Sequence, residues 1–501
     1  MRGVPRSPAD LTVLLSNLDR DIREGRGARA REALQALAPG KIPAVHLAAV
    51  GALAWRCGIP DLGVKLLHPV VRPAKGTARP PTPAQMAEYA VCLVKIGATE
   101  EGLRILERAD AAGYPRVHLY RAFAHVSRWD YGGSLPHVRA YLRAPGVKPY
   151  EKLVGRMNLA AALVILGDYL KATPLLSELI HDLSVRGHQL LLGRALELAA
   201  ECFLFQRQWA RARSFVEKAE KVLRESEGMD LFISRKVRAF VEFHQDPKSA
   251  EGRQALAGFR EEAEEKRHWE SVRDCDRALA LGTGDEALFL KVYFGTPFQA
   301  FRDRMLAERK GAIAIPETYG RRLGPPGDEQ AVVNLSEGKI AGKKASLEVG
   351  SSPHRLLTAL AADSHRPLRV AEIFSALCPG EFYNPDSARA RVWQAVRRLR
   401  QWLAGHKVPL VIDESQGGYR LGALAPCTVL LRRDSAAPDR GRHLLDSLSD
   451  GVGGGEFTVQ RAAKVLHLSE RSARRLLAEA VEKGALQRLG ASAATRYLFR
   501  R

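Results

Sequence analysis

Apolar residues recur at three- and four-residue spacing from about Leu11 to Arg309, with few strand-like patterns. That spacing collects apolar side chains on one face of a helix, so it predicts a succession of amphipathic helices. Glycines and prolines then become dense between Pro316 and Gly327, which predicts a linker. Short strand-like runs follow at Ala331–Val333 and Ala345–Val349. We therefore predict a mainly α protein with smaller α+β domains at its C-terminal end.

The helical part contains an internal repeat. Its turns are marked by Gly58, Gly97, Trp129, Gly167 and Arg207, which are 39, 32, 38 and 40 residues apart. Two columns of small residues flank the turns, seven positions before and five positions after: Gly51, Ala90, Ala122, Ala160 and Ala200, then Gly63, Gly102, Ser134, Ala172 and Ala212. An apolar column lies nine positions after the turns: Leu67, Leu106, Val138, Leu176 and Val216. Small side chains let two helices of a hairpin approach closely where they cross.

This pattern resembles the tetratricopeptide (TPR) repeat, whose small residues have the same separation. The resemblance covers roughly Asp10 to Leu223, and it implies an α-solenoid of TPR-like helical hairpins. Arg235 to Arg309 continues the helical pattern, so we assign residues 10–310 to one repeat domain. The repeats are longer than the usual length, and most lack the proline that follows the second helix. An irregular helical bundle is therefore the alternative.

A long amphipathic helix is predicted after Pro385, with Asp386 or Ser387 as its N-cap. Val392, Val396, Leu399 and Leu403 form its apolar stripe. The opposite face carries Arg391, Gln394, Ala395 and Arg398, flanked by Arg389, Arg397 and Arg400. Two shorter helices, Pro353–Ala361 and Arg369–Leu377, precede it, and Lys407–Leu421 alternates as a β-hairpin.

Together these elements resemble the winged-helix output domain of OmpR/PhoB-type response regulators, over residues 331–423. The matching pieces are Leu368-Arg369-Val370, Pro385-Asp386-Ser387, Val396-Arg397-Arg398-Leu399-Arg400 and Gly418-Tyr419-Arg420-Leu421. The resemblance implies that Arg391, Gln394 and Arg398 face base edges in the major groove of DNA, while Arg397, Arg400 and Arg420 contact phosphates. No receiver domain precedes this segment, so we do not expect receiver phosphorylation as the input. A solvated helix face, or a winged helix that binds protein, is the alternative.

A second unit of this kind is predicted at residues 439–501, after a second linker at Leu424–Asp439. A short helix (Val459–Leu466) and a turn with Ser469 as N-cap lead to a helix at Glu470–Lys483. This resembles a generic bacterial winged helix-turn-helix domain. The resemblance places Arg471, Ser472, Arg474 and Arg475 at the groove-entering end of the second helix, and Arg488 and Arg496 lie on the predicted wing. A packing or dimerisation domain is the alternative.

The charge distribution favours DNA over a generally basic composition. The whole chain carries 77 Lys+Arg against 56 Asp+Glu, a formal net charge of +21. Residues 331–501 hold 27 Lys+Arg and 16 Asp+Glu, so this third contributes +11 and the longer remainder contributes +10. Positive charge is therefore concentrated in the two predicted winged-helix domains, the first and second DNA readers. A genome that favours arginine explains the totals, but not the clustering.

Other classes of function find little support in the sequence. Six cysteines are scattered without a Cys-x-x-Cys pair, which favours buried, reduced thiols over a disulfide or zinc framework. The segment Gly338–Lys344 is one residue too short for a P-loop and lacks its hydroxyl. We expect no enzyme activity, no cofactor and no metal. No run is long and apolar enough for a membrane span, and Met1–Asp10 lacks signal-peptide features, so we expect a cytoplasmic protein.

These patterns predict a DNA-binding transcriptional regulator with a helical-repeat sensor or docking region and tandem winged-helix readers. Its expected partners are double-stranded DNA and a protein, peptide or small effector on the repeat domain, with no membrane partner. A protein-interaction scaffold whose winged helices hold partners instead of DNA is the alternative. An enzyme of unfamiliar type is the third hypothesis. The sequence leaves the oligomeric state open.

Overall fold

The structure is a computed structural model. It describes residues 8–73, 80–225, 229–309, 311–415, 417–433, 444–445, 448–449, 451–453, 455–466, 468–482, 484–490 and 495–500. Residues 434–439 of the predicted second linker, His467 in the predicted turn and Lys483 at the predicted helix end lie outside the described residues. The chain divides into two compact units. The first comprises Met1–Ala314, Asp363–Val392 and Ser415–Tyr419, and the second Ile315–Ala362, Trp393–Glu414 and Arg420–Arg501.

The first unit is dominated by antiparallel helical hairpins. Its helices are α1 (Pro8–Arg23), α2 (Gly27–Gln35), α3 (Leu47–Arg56), α4 (Pro60–Val71), α5 (Pro83–Ile96), α6 (Thr99–Arg108), α7 (Arg116–Val126), α8 (Tyr131–Arg143), α9 (Pro149–Ile165), α10 (Tyr169–Val185), α11 (Gln189–Phe205), α12 (Trp209–Leu223), α13 (Asp230–Gln245), α14 (Ala250–Glu265), α15 (Trp269–Thr283), α16 (Glu286–Phe294) and α17 (Gln299–Glu308). The predicted array of helical hairpins is confirmed.

The turns of the hairpins share one backbone conformation. All five residues that mark the repeat in the sequence have a positive φ, from 59° at Arg207 to 101° at Gly97. A left-handed residue after a helix lets the chain reverse while the last carbonyls still find hydrogen-bond donors. Arg267, between α14 and α15, adopts the same conformation with a φ of 58°, so the turn geometry continues beyond the predicted repeats.

The small-residue columns mark the helix crossings, as the pattern predicts. Their alanines and Ser134 are buried. A methyl group added at Gly51 would lie 2.7 Å from Leu67 Cδ1, and one added at Gly102 would lie 2.8 Å from the carbonyl oxygen of Ala90. At Gly102 the near atom belongs to the backbone, so the close approach of the two helices requires glycine there, whereas the leucine side chain facing Gly51 can move. The apolar column, Leu67 to Val216, is also buried.

Buried charged side chains lie between α11, α13 and α15. Lys236 Nζ is 3.3 Å from Asp274 Oδ2 and 4.0 Å from Glu201 Oε1. Glu197 lies one helical turn before Glu201 and is also buried. Burial, together with the neighbouring carboxylate of Glu201, raises the pKa of Glu197 to about 8. This carboxyl group is therefore protonated in the folded chain at a pH where it ionises in the unfolded chain.

Glu197→Gln is expected to raise the melting temperature relative to the parent, and this gain should be larger at pH 9 than at pH 5. The folded pKa of about 8 lies above the ordinary 4.5, so the folded state binds the proton more tightly. Stability is therefore lost as pH rises between these two values, and glutamine abolishes that loss. Melting temperatures of variant and parent across this range give the measurement, with exposed Glu32→Gln as control. A difference between Glu197→Gln and the parent that does not change with pH would contradict the assignment.

The second unit contains a four-stranded sheet that the sequence did not predict. Its strands are β1 (Thr318–Leu323), β2 (Ala331–Asn334), β3 (Lys339–Ile340) and β7 (Cys427–Arg432), in the order β1-β7-β2-β3. β1 runs antiparallel to β7, with Tyr319 opposite Leu431, and β2 runs parallel to β7. Both stretches predicted as linkers thus contain strands. Gly320 lies within β1, and Gly324, Pro325, Pro326 and Gly327 follow it. Pairing between β1 and β7 across about a hundred residues stabilises both strands.

A predicted strand at Ala345–Val349 is wrong. The structure has only an isolated bridge between Ser346 and Lys339 there. The chain turns at Gly342 and again at Gly350, both with positive φ, which leaves too little extended backbone for a ladder.

The elements predicted for the first reader occur in the expected order. They are α18 (Ser352–Ala362), β4 (Leu368–Arg369), α19 (Val370–Leu377), α20 (Ala388–Gly405), β5 (Leu410–Ser415) and β6 (Gly418–Ala423). The last three strands form a sheet in the order β4-β6-β5, with Leu368 opposite Tyr419. That these elements constitute a winged-helix domain stays a prediction.

The C-terminal part of the described chain contains α21 (Val459–Val465), α22 (Glu470–Glu482), β8 (Leu486–Leu489) and β9 (Arg496–Phe499). The two strands are antiparallel. Thr458 caps α21, and Ser469 Oγ accepts a hydrogen bond from the Ser472 backbone nitrogen, as predicted for an N-cap. A small apolar cluster includes Ala462, Leu466, Leu476 and Leu477, while the predicted core residues Leu468 and Val481 are only partly buried.

The described helices include none that is both long and apolar enough to cross a membrane. All six cysteines are free thiols, and only Cys378 is partly exposed. No group of three or more potential metal ligands occurs among the described residues.

Candidate nucleic-acid interface

α20 divides cleanly into a buried and an exposed face. The apolar stripe of Val392, Val396, Leu399 and Leu403 is buried, so the packing of this helix follows its 3.6-residue periodicity. The helix begins at Ala388, directly after Ser387, one of the two predicted N-caps.

The arginines predicted on the opposite face of α20 are exposed. The structure exposes Arg389, Arg391, Gln394, Arg397, Arg398 and Arg400, and it leaves Arg420 of β6 partly buried. Ala395 was predicted on this polar face but is buried. It lies three residues after Val392 and next to Val396, so a small side chain there widens the buried stripe. The exposed ridge is therefore narrower and more basic than predicted.

Arg391 is already engaged within the first unit. Its guanidinium donates to both carboxylate oxygens of Glu381, at 2.6 and 3.1 Å, and lies 5.1 Å from the Phe374 ring centroid. The bidentate pair lowers the pKa of Glu381, chiefly through these hydrogen bonds. Arg391 would have to leave Glu381 before contacting a base.

Three other predicted readers differ in their surroundings. Arg400 Nη2 donates to the carbonyl oxygen of Ile412 at 2.6 Å, so this arginine ties α20 to β5. Arg397 lies 5.7 Å from the ring centroid of Trp393, an exposed aromatic side chain that the sequence reasoning missed. Arg398 forms no ion pair or hydrogen bond within the described chain and is exposed. Gln394 and Arg389 share that property.

The predicted reader residues of the C-terminal part are also at the surface. Arg471, Arg474, Arg475, Arg488 and Arg496 are exposed, and Ser472 is partly buried. Arg474 pairs loosely with Glu470 at 3.4 Å, and Arg496 pairs with Glu456 at 3.1 Å. Such exposed pairs contribute little stability, so their arginines remain available to an anionic partner.

The segment before α19 is attached to the helical repeats by a buried ion pair, which the sequence did not predict. Arg273 Nη2 of α15 donates to both carboxylate oxygens of Asp363 at 2.9 Å, and both side chains are buried. Although burial opposes ionisation, Arg273 and Arg366 hold the pKa of Asp363 below its ordinary value. The backbone nitrogen of Ser364 also donates to the carbonyl oxygen of Gly295 at 3.0 Å.

The loop between α19 and α20 is attached to the repeats at a second place. The backbone nitrogen of Tyr383 donates to Glu101 Oε2 of α6 at 2.6 Å. Arg72 lies 3.5 Å from Glu101 Oε1, and its guanidinium is 3.5 Å from the ring centroid of Phe382. Burial raises the pKa of Glu101. Nothing local in the sequence signals these contacts, because their partners are hundreds of residues apart.

A pocket of about 370 Å³ lies in the first unit, between the start of α15 and the segment before α19. It is lined by Arg267, His268, Trp269, Glu270, Arg366, Pro367, Arg369, Ser415 and Gly418. Three arginines line it, but Arg366 is paired with Glu372 at 2.7 Å and with Asp363 at 3.0 Å.

Comparison with known proteins gives limited likeness. No family model matches this sequence, and no curated protein matches it. Among solved structures, a Rap protein complexed with competence and sporulation factor is 11% identical with a TM-score of 0.41, covering 60% of this chain and 88% of that one. Aspartyl phosphate phosphatase F from Bacillus subtilis is 13% identical with a TM-score of 0.35, covering 58% and 85%. Likeness at this level leaves the function of this chain to be argued from its own residues.

Proposed function

We propose that this chain is a DNA-binding transcriptional regulator whose helical repeats receive a protein, peptide or small effector. The observation that carries the proposal is α20, with its apolar stripe buried and Arg389, Gln394, Arg397 and Arg398 exposed on the other side. A helix seated in this way presents donors that suit guanine and adenine edges as well as phosphates. The β5–β6 hairpin that follows agrees with a wing. No enzyme activity forms part of this proposal.

The C-terminal part supports the same function. Arg471, Arg474 and Arg475 are exposed within the first two turns of α22, the end that enters the groove in helix-turn-helix proteins. Two linked readers would raise each other's effective concentration on DNA, so a weak second reader still sharpens the choice of site.

Titration with salt tests DNA binding directly. The whole chain should bind a fluorescent random-sequence duplex at low salt, and log Kd should rise linearly with log salt concentration, because phosphate contacts release counterions. Fluorescence anisotropy measures the binding and its dependence on salt concentration. No binding at low salt, or binding that does not depend on salt, would reject the proposal.

A protein-interaction scaffold is the second candidate, and two contacts favour it. Arg391 is held by Glu381, and the loop before α20 is bonded to Glu101 of the repeats. Through these contacts, the start of α20 and the loop before it already bind other parts of the protein. If this candidate is correct, the chain should show no salt-dependent duplex binding, while the exposed arginines of α20 should still be needed to hold a protein partner.

A further inference from the structure

Lys95 lies between two aromatic rings of the helical repeats. It is on α5, and its ammonium is 5.5 Å from the ring centroid of Trp55 on α3 and 5.2 Å from that of Phe123 on α7. The Trp55 indole donates to the buried carboxylate of Glu88 at 3.1 Å, and its ring packs edge-on against Phe123. Trp55 is thus fixed from two sides, and Lys95 is exposed beside the rings of Trp55 and Phe123.

The two charged side chains that act most strongly on Lys95 are guanidinium groups, which have the same sign as its ammonium. Packing of the ammonium against the two rings and the surrounding helices partly removes its hydration and lowers the pKa of Lys95, and Arg194 and Arg369 lower it further. Within the described chain, Lys95 forms no ion pair with a carboxylate. Arg369 Nη1 donates to the backbone carbonyl oxygen of Lys95 at 2.6 Å, which places this guanidinium at the same end of α5. Bringing cations together raises the free energy of the folded state unless an anion compensates them.

We propose that Lys95, Arg369 and Arg194 bind the carboxylates of an acidic peptide, with Trp55 and Phe123 contacting its apolar atoms. The three cations come from α5, the β4 strand and α11, and their like charges are complementary to a ligand with several carboxylates, such as an acidic peptide. Arg194 is half exposed and forms an ion pair with Asp230, 2.7 Å away. Ammonium and guanidinium donors to carboxylates give the stronger class of hydrogen bond.

This site rests on the proposed function, and it gives that function an input. Arg369 is the N-cap residue of α19, and its backbone nitrogen donates to Glu372 at 2.8 Å. A peptide carboxylate on the Arg369 guanidinium would therefore act on the residue that begins the predicted helix-turn-helix. Glu372 in turn pairs with Arg366, which pairs with Asp363. Through Arg369, the ligand would therefore adjoin a short chain of ion pairs at the start of α19.

Anisotropy with fluorescein-labelled hexaglutamate, in the absence of DNA, tests the site on the whole chain. Lys95→Gln and Arg369→Gln should each weaken binding by about tenfold or more, the loss of one charged hydrogen bond. Lys171→Gln, which removes another exposed lysine, on α10, should leave binding within about twofold of the parent. Labelled hexalysine should not bind.

Three results would overturn the inference. The parent fails to bind hexaglutamate, the Lys171 control weakens binding as much as Lys95→Gln, or free glutamate competes as well as the peptide at equal carboxylate concentration. The last result would assign the cations to a small organic acid. Since the assay contains no DNA, its failure is separate from failure of DNA binding, which the salt titration measures.

Discussion

Arg273→Ala is expected to destabilise the first unit by about 3–5 kcal/mol, because it leaves the buried carboxylate of Asp363 without its main partner. Arg273 is fully buried and holds both oxygens of Asp363 at 2.9 Å. Without Arg273, the carboxylate keeps Arg366, 3.0 Å from Oδ2, and a hydrogen bond of 3.2 Å from the backbone nitrogen of His365 to Oδ1. Urea or thermal unfolding of the whole chain gives the size of the effect.

A surface ion pair provides the matched control. Arg235→Ala breaks an exposed Arg–Glu pair with Glu262, 2.9 Å apart, on the same helical array. Exposed pairs contribute about 0–1 kcal/mol, so this variant should unfold almost as the parent does. An equal loss in Arg273→Ala and Arg235→Ala would show that the Arg273–Asp363 pair contributes no more than a surface pair.

The charge-free double variant Arg273→Met with Asp363→Leu separates lost attraction from an uncompensated charge. Because replacing both members of a buried pair is often close to neutral, most of the lost stability should return. Hydrogen exchange of residues 363–377 should also accelerate in Arg273→Ala and recover in the double variant. This second readout reports on the attachment of α19 itself, whatever happens to the rest of the chain.

Arg398→Ala is expected to weaken binding to a duplex selected from a random pool by about 1–3 kcal/mol, roughly fivefold to 150-fold in Kd. Arg398 is exposed and forms no ion pair within the described chain, so its guanidinium meets DNA without first leaving another partner. Arg391→Ala should cost less, since the parent must break the bidentate pair with Glu381 before Arg391 can contact a base.

The order of the two effects is the informative result. Anisotropy with the selected duplex should show a larger loss of affinity for Arg398→Ala than for Arg391→Ala. Arg139→Ala, which removes an exposed arginine from α8, is the control and should bind as the parent does. Arg397→Ala should instead reduce the salt dependence by about one counterion, which is typical of a phosphate contact. Equal losses in Arg398→Ala and Arg139→Ala would contradict the placement of the reader face on α20.

The helical half of the fold could be anticipated because its signals are local. The turn residues Gly58 to Arg207 recur at similar spacing along the chain, and all five have the left-handed backbone that a hairpin turn needs. The apolar stripe of α20 could be predicted in the same way, since side chains three and four residues apart lie on one helix face. Ala395 was misplaced because alanine fits a buried and an exposed position equally well.

Other features depended on which surfaces meet in the folded chain. β1 and β7 looked like linkers, since neither short strand is stable until it pairs with the other across about a hundred residues. The partner of Asp363 is Arg273, and that of the Tyr383 backbone is Glu101, and no spacing in the sequence relates them. The pairing of Arg391 with Glu381 could not be foreseen either, because no regular helix or strand spacing relates residues ten positions apart across a loop.

The sequence by itself determined the helices, their hairpin turns, the crossing points of small residues and the side of α20 that is buried. Each of these follows from interactions within a few residues, where helical geometry fixes the distances. Only the tertiary structure decided how the segment around α19 is fastened to the repeats, and which arginines are engaged and which are open. Those outcomes depend on the meeting of distant charged groups, whose partners are selected by packing rather than by their spacing along the chain.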